Sequence, residues 1–197
     1  MSVSVPESTS LGLYGVAGGD TIFIRGAAGA VGNVAAQIGK IKGCTVVGSC
    51  GRDKKVEFCK NIGYDAVFII NYKIESESLD AAVKRYFEIC LAKHYQLSNP
   101  PFSSTILRNM NAGGQVGVCG SISGYNETTP VLAPIVQPSI VTSELMLKGF
   151  HFRTYVNKHK EGKMKCYEKV TKGFENVPDA FIDMLRGGNV GKAVVRL

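Results

Sequence analysis

Apolar positions along the chain come in two rhythms. Short β-branched runs are unbroken for four or five residues, and between them apolar residues recur every three or four positions. Thr21-Ile-Phe-Ile-Arg25 is such a run, set off by the turn Gly18-Gly19-Asp20, and predicts a strand buried on both faces. Val31, Ala35, Ile38 and Ile41 then repeat at helical spacing until Gly43. Thr45-Val-Val-Gly-Ser49 predicts a second buried strand. Val56, Cys59 and Ile62 mark a second helix stopped by Gly63, and Ala66-Val-Phe-Ile-Ile70 a third strand. Strand, helix, strand, helix, strand in this order requires a parallel sheet with right-handed crossovers.

A third helix is expected from about Ser78 to the low nineties, with Leu79, Val83, Phe87 and Leu91 on one face. Residues 95–104, with Pro100-Pro101, are expected to be irregular. Order returns with a strand at Gln115-Val-Gly-Val-Cys119 and an extended segment over Met146 to Phe152. Pro130, Pro134 and Pro138 predict a loop between them. Asn176-Val-Pro178 opens a helix carrying Ala180, Phe181, Met184 and Leu185, closed by Gly187-Gly188, and Lys192 to Leu197 forms a last strand.

Composition narrows the class. The 197 residues are 45% hydrophobic and 20% charged, which excludes a disordered, collagen-like or coiled-coil chain. No apolar run reaches membrane-spanning length, and Met1 to Ser10 reads as no signal peptide. Twenty-three Lys and Arg against sixteen Asp and Glu give a net charge of +7, which suits an anionic partner. The densest cluster, Lys158, Lys160, Lys163 and Lys165, carries no nucleic-acid-binding signature, so neither nucleic acid nor membrane is expected as a partner. Six cysteines at 44, 50, 59, 90, 119 and 166 form no CxxC, and the three histidines form no HExxH. The expectation is a cytoplasmic protein with reduced, mostly buried thiols and no metal.

The chemistry concentrates where the first strand meets the first helix. Gly26-Ala-Ala-Gly29-Ala-Val-Gly32 is GxxGxxG in a strand-turn-helix setting, which makes a phosphate cradle. Gly26 allows the tight turn, Gly29 leaves no Cβ between backbone and pyrophosphate, and Gly32 lets helix and strand approach. The amides of Ala30, Val31 and Gly32, with the positive end of the helix dipole, face the anion. The alternative is a close-packing glycine helix in another α/β fold. At the end of the second strand an NAD site would carry an acid for the ribose hydroxyls. Here Arg52, Lys54 and Lys55 offer cations suited to a 2′-phosphate, which selects NADP. A charge-assisted hydrogen bond is worth about 1.5–3 kcal/mol. Asp53 pulls weakly toward NAD unless it caps the second helix. The alternative of three ordinary surface cations is disfavoured by the dipole at that helix end.

These motifs, with Gln37-Ile-Gly-Lys, Lys42-Gly-Cys, Asn71-Tyr-Lys73, Cys119-Gly-Ser-Ile-Ser-Gly-Tyr-Asn126, Gly173-Phe-Glu-Asn-Val-Pro178 and Gly188-Asn-Val-Gly-Lys192, occur in one order. Together they resemble the zinc-independent medium-chain reductases, and within them the prostaglandin reductases, also called leukotriene hydroxydehydrogenases or alkenal double-bond reductases. The resemblance implies a Rossmann-type α/β domain with a doubly wound, mostly parallel sheet. It also implies NADPH-dependent reduction of the carbon-carbon double bond of α,β-unsaturated aldehydes and ketones, with hydride passing from the nicotinamide to the β-carbon. It puts Ala30 and Val31 on the pyrophosphate, Lys55 on the 2′-phosphate and Tyr72 in that pocket. Cys119 and Ile122 line the cofactor, and Phe150 and Phe152 flank the nicotinamide. Asn189 and Gly191 close over the cofactor, and Tyr125 contacts the nicotinamide ribose and the reacting enone. As the enolate charge develops, such a phenol can stabilise it and help deliver a proton. The resemblance further implies a homodimer paired through Rossmann sheet edges.

Three departures from the family pattern shape the expectation. Residues 1–19 read as a remnant linker and 20–197 as the NADP-binding domain, so the N-terminal substrate domain is absent from the sequence. Lys93-His-Tyr-Gln-Leu-Ser-Asn-Pro-Pro101 stands where the family has a strand ending in Asp-Asn-Val-Gly-Gly, and residues 157–162 stand where it has a helix. The sheet is therefore expected to be incomplete, with a central strand missing and unpaired edges that invite association. The readings left open are an enone reductase by descent, or a truncated, non-catalytic form that binds NADP or associates with another chain.

Overall fold

The computed structural model describes residues 16–69, 94–97, 100–118, 128–129, 135–149 and 164–197, with backbone alone at 94–97 and 100–102. The expected helix after Ser78 and the irregular segment 157–162 lie outside these residues, as do Pro130 and Pro134.

The strand, helix, strand, helix, strand order of the first 70 residues forms as the apolar pattern predicts. β1 spans Thr21–Arg25, α1 Ala30–Ile41, β2 Thr45–Cys50, α2 Asp53–Asn61 and β3 Ala66–Ile69. Next come β4 (His94–Leu97), α3 (Pro100–Arg108), β5 (Gln115–Val118), α4 (Gln137–Thr142) and β6 (Met146–Gly149). These six strands form one sheet in the order β3-β2-β1-β4-β5-β6, every neighbouring pair parallel. That order is the Rossmann arrangement, with the direction of winding reversing between β1 and β4.

The expectation of a missing central strand is corrected here. His94–Leu97 stands between β1 and β5, its Tyr95 opposite Phe23 on one side and Val116 on the other. The His-Tyr-Gln-Leu sequence lacks an apolar run, but pairing on both sides supplies what propensity does not. The expectation of an irregular segment over 95–104 is likewise corrected at its described residues, 95–97 lying in β4 and 100–104 in α3. Pro100 and Pro101 open that helix, where a missing amide costs no hydrogen bond. Pro138 likewise sits in the first turn of α4 rather than in a loop.

Alternation along the strands makes two cores. Ile22, Ile24 and Val46 face α1 and α2, packing with Ala35, Ala36, Ile38, Cys59 and Tyr64. Phe23, Val47 and Val116 face the other way, against Ile106, Leu107 and Met110. Ile41, at the end of the predicted apolar stripe, is instead 40% exposed. After β6 the described chain resumes in a separate parallel pair, β7 (Glu168–Lys172) and β8 (Lys192–Arg196). The 3₁₀ turn Phe174–Asn176 and helix α5 (Val177–Leu185) connect them.

Candidate functional site

Because all six strands are parallel, their carboxyl ends share one edge of the sheet, and the glycine turn leaves that edge from β1 at the reversal point. Gly26 has φ +63°, a left-handed conformation that favours glycine. The turn closes through the Gly29 amide on the Gly26 carbonyl at 2.8 Å. It is tied to the neighbouring strand by the Ala27 amide on the Ser49 carbonyl at 3.0 Å. Gly29 caps α1 with no side-chain bond, and the first turn carries no acid. The Asn33 amide finds the Gly29 carbonyl at 3.1 Å. The preceding helical amides, of Ala30, Val31 and Gly32, have no such intrahelical acceptor, so they are the donors the N-terminus presents. Backbone donors and the dipole together make this a place for an anion.

Gly32 serves a different contact from the one its spacing suggests. A Cβ there would run into the turn itself, 2.8 Å from the Ala27 carbonyl oxygen. Close approach of helix to strand falls instead to Gly39, where a Cβ would lie 2.9 Å from both Ile22 and Val46.

Two residues that hold the turn carry no sequence signal. Tyr64 is 5% exposed, and its hydroxyl reaches the carbonyls of Ala27 at 3.2 Å and Gly32 at 3.1 Å. Burial, reinforced by Cys59 and Cys50 nearby, raises its phenol well above the usual range, so it stays a donor. Asn33, 1% exposed, donates from Nδ2 to the Gly29 carbonyl at 2.6 Å and the Ala30 carbonyl at 3.2 Å. Tertiary packing brings Tyr64 to the turn, whereas Asn33 reaches back to it from the first turn of its own helix. A tyrosine after a helix-stopping glycine reads as a core residue.

The predicted basic group follows β2 directly. Arg52 occupies the cap position of α2 and Asp53 its first helical residue, so Asp53 is not the cap. Lys54 is exposed, whereas Lys55 is half-buried. Desolvation, then the neighbouring Arg52 cation, lowers the Lys55 pKa, while Cys50, Cys59 and Asp183 oppose that shift. A second anion beside this ammonium would favour its charged form.

The C-terminal unit comes to the same place. The Gly191 amide donates to the Ala28 carbonyl at 2.8 Å, and Gly191 bridges Gly29 in parallel. Gly191 has φ +69°, and a Cβ there would run into the Tyr167 carbonyl. Asn189 donates to the Gly191 carbonyl at 2.9 Å. Arg52 donates to the Arg186 carbonyl at 3.2 Å, and a Cβ on Gly187 would be 3.8 Å from Lys55 Nζ. Gln37 exchanges two bonds with the backbone of Lys165, at 3.0 and 2.8 Å, and the Phe58 and Tyr167 rings meet edge to face at 5.0 Å. The structure thus gathers Gly26, Gly29, Ala30, Val31, Gly32, Asn189 and Gly191 at one strand edge, with Arg52 and Lys55 at the next. Tyr72, Cys119, Ile122, Tyr125, Phe150 and Phe152 lie outside the described residues.

Among the described residues no three His, Cys, Asp or Glu side chains converge as metal ligands, so the residues on view do not compose a zinc site. No described helix is long and apolar enough to cross a membrane.

Comparison with known proteins fits this arrangement. The sequence pattern of the zinc-binding dehydrogenases matches residues 30–168. Prostaglandin reductase 1 of Bos taurus is 39% identical over 99% of this chain and 63% of its own length. A 2-alkenal reductase (NADP(+)-dependent) of Nicotiana tabacum is 35% identical over 90% of this chain and 54% of its own. CurA from Vibrio vulnificus, solved in complex with NADPH, superposes with a TM-score of 0.77 at 28% identity, covering 92% of this chain and 58% of that one. The chain therefore spans less than two thirds of the length of these relatives. It belongs to the zinc-binding dehydrogenase family, and its fold is the Rossmann-type domain of the NADPH-binding medium-chain reductases.

Proposed function

We propose that the chain is an NADPH-dependent reductase, or the cofactor-binding part of one, acting on the carbon-carbon double bond of α,β-unsaturated aldehydes and ketones. The observation that carries the reading is the placement of two anion-accepting groups at adjacent strand ends. One is the row of first-turn amides at Ala30 to Gly32. The other is the Arg52 and Lys55 pair, with Lys55 half-buried. Their chemistry suits a pyrophosphate with a further phosphate to one side, as in NADP. When bound, that cofactor supplies the hydride.

The remaining steps belong to side chains. Gly26 and Gly29 keep the turn clear for the pyrophosphate. Lys55, whose ammonium is disfavoured by desolvation, gains from a 2′-phosphate. Asn189 and Gly191 close the C-terminal loop over the turn. Tyr72, Cys119, Ile122, Phe150 and Phe152 are assigned to the cofactor's walls by their motifs, and Tyr125 to the oxygen where enolate charge develops. No step uses a metal. The relatives named for prostaglandin and alkenal reduction support the substrate class, and CurA, solved with NADPH, supports the cofactor.

Titration of the full chain with NADPH, followed by nicotinamide fluorescence, tests the cradle. Lys55→Ala is expected to weaken NADPH at least tenfold and NADH little, and equal losses would dismiss the 2′-phosphate assignment. NADPH oxidation on nonenal, reduced at least tenfold in Tyr125→Phe, tests the reaction. One further reading is a form that binds NADP without turnover, since the candidate residues described, Gly26 to Gly32, Arg52, Lys55, Asn189 and Gly191, all belong to the cofactor cradle. Binding with no oxidation of NADPH on any enal would establish it. Association, as part of either reading, would use the edge strand β6, whose Met146 is 59% exposed. Sedimentation of the wild type and Met146→Lys compares the two states.

A further inference from the structure

Gln37 lies two turns into α1, outside the anion site, yet both ends of its amide are engaged at long range. Oε1 accepts the Lys165 amide at 2.8 Å, and Nε2 donates to the Lys165 carbonyl at 3.0 Å. Nε2 also donates to the Asn33 carbonyl one turn back at 3.2 Å, which fixes the side chain's direction. The N–H and C=O of one residue share a side only where the chain is extended, and those of its neighbours then face away. A pair of this kind therefore reads register: a slip by one residue breaks both bonds.

Residues 164–167 run from that pair into β7 as a strap along α1. Met164 packs on the core beneath, and the Tyr167 ring meets Phe58 edge to face. The Tyr167 carbonyl then accepts the Lys192 amide at 2.8 Å, where the β7–β8 pair begins. The preceding amide, of Gly191, goes to the Ala28 carbonyl instead. Gly191 is thus held between the glycine turn and the strap, so closely that a Cβ on it would overlap the Tyr167 carbonyl. Asn189 is bonded to the Gly191 carbonyl and shares its placement.

We propose that Gln37 is a positioning residue for the cofactor site: it sets the register of strap 164–167, whose Tyr167 carbonyl holds loop 189–191 against the glycine turn. This rests on the cofactor reading above, which makes that loop the cover of the cradle. The ring contact between Phe58 and Tyr167 tolerates sliding, whereas two hydrogen bonds to one residue fix distance and direction together. Without Gln37 the strap keeps its apolar contacts and loses its register. The bond from Lys192 loosens, and the Gly191 amide is free to leave Ala28. Gln37 acts through the backbone of the loop rather than on the cofactor itself.

Amide exchange followed residue by residue in NMR spectra of the full chain tests this relay without cofactor. Gln37→Met keeps a long side chain and the helix while removing both bonds. Exchange is expected to rise about tenfold at Lys165, Gly191 and Lys192, with β1 and β2 unchanged. Lys40→Met removes a second long-range bond of α1, to Asp65, and is expected to leave those three amides as they are. Faster exchange at Lys165 alone overturns the proposal, because the strap then carries nothing to the loop. A rise spread over every strand, the mark of a general loss of stability, overturns it too. Titration with NADPH completes the test. Gln37→Met is expected to weaken binding about fivefold. In an Asn189→Ala background the same change should cost less, since part of what Gln37 places has gone. Unaltered affinity in Gln37→Met, or the same factor in both backgrounds, overturns the positioning role. A wild type that does not bind NADPH defeats the cofactor reading on its own, and the three amides still decide whether Gln37 places the loop.

Discussion

The six-stranded sheet and the β7–α5–β8 unit are both parallel βα assemblies, yet they are held in opposite ways. In the first, Ile22, Ile24, Val46 and Val47 are all 2% exposed or less, and layers of side chains cover both faces of the sheet. In the second, helix α5 buries none of its residues, and Phe174, Phe181 and Leu185 are 74%, 56% and 51% exposed. Phe181 and Leu185 lie one turn apart on the helix, and Phe174 stands in the 3₁₀ turn before it. What joins the second region to the first is mostly a set of polar ties at the site, Gly191 on Ala28, Gln37 on Lys165 and Arg52 on Arg186, with Met164 and the Phe58–Tyr167 ring contact as apolar additions. Stability and site closure are thereby divided between regions. The sheet supplies the folding free energy, and the C-terminal unit covers the glycine turn on contacts that add little apolar burial.

The widest gap between the regions should appear in paired core substitutions. Ile24→Ala removes a fully buried side chain and is expected to cost about 2–5 kcal/mol. Phe181→Ala, on the exposed stripe, is expected to stay within about 0.5 kcal/mol. Urea denaturation of each variant checks both. Equal losses would mean that the stripe is covered in solution and that the division is wrong.

Gly191→Ala sharpens the same contrast. The added Cβ meets the Tyr167 carbonyl, and φ +69° is strained for alanine. A loss of about 2 kcal/mol is expected, confined to the C-terminal unit. Hydrogen exchange should show β7 and β8 unprotected while β1 and β2 keep their protection. A uniform loss would make the two regions one cooperative unit.

Tyr64→Phe lies on the sheet's side of the divide but reports on the site. It leaves the Ala27 and Gly32 carbonyls without the phenol, at about 1–2 kcal/mol. NADPH affinity is expected to fall with stability, because the turn loses its inner support. Stability lost with affinity unchanged would show that the glycine turn holds its shape without that bond.

How much of this was legible beforehand follows from the range of each interaction. The β1-turn-α1 unit and the strands β2 and β3 were readable because their signals are local: β-branched runs, helical spacing and glycines at fixed intervals. The helix at Val177 was equally plain from Asn176-Val-Pro178 and Gly187-Gly188. β4 was not, because His-Tyr-Gln-Leu is a strand only where β1 and β5 stand on either side of it. Tyr64 was missed for the same reason, its acceptors being turn carbonyls 37 and 32 residues back, whereas the bonds of Asn33 are local and a polar residue inside a helical repeat simply carries no apolar signal. Arg52 and Lys55 were readable as cations, but not that Arg52 would also reach the Arg186 carbonyl 134 residues on.

The smallest expected effect concerns the ion pair at the far edge of the well-packed region. Asp65 accepts Lys40 Nζ at 2.8 Å and the Val46 amide at 2.6 Å. Burial alone would raise its pKa, but the Lys40 ammonium and the Val46 amide outweigh it and hold the carboxyl below its ordinary range. A carboxyl depressed on folding contributes stability above its unfolded pKa, and that contribution fades as acid takes the pH down through the folded value. Both side chains are more than a third exposed, at 37% and 40%, so screening keeps the pair under about 1 kcal/mol. Asp65→Asn keeps an oxygen for the Val46 amide while removing the charge, so it should lower stability slightly at neutral pH and flatten the acid limb of the stability profile. Denaturant midpoints for both proteins, from neutral pH down to strong acid, should converge as the wild-type carboxyl protonates. If the gap instead persists in acid, the contribution of Asp65 does not come from its charge, and the edge of the sheet is held as its centre is, by fit.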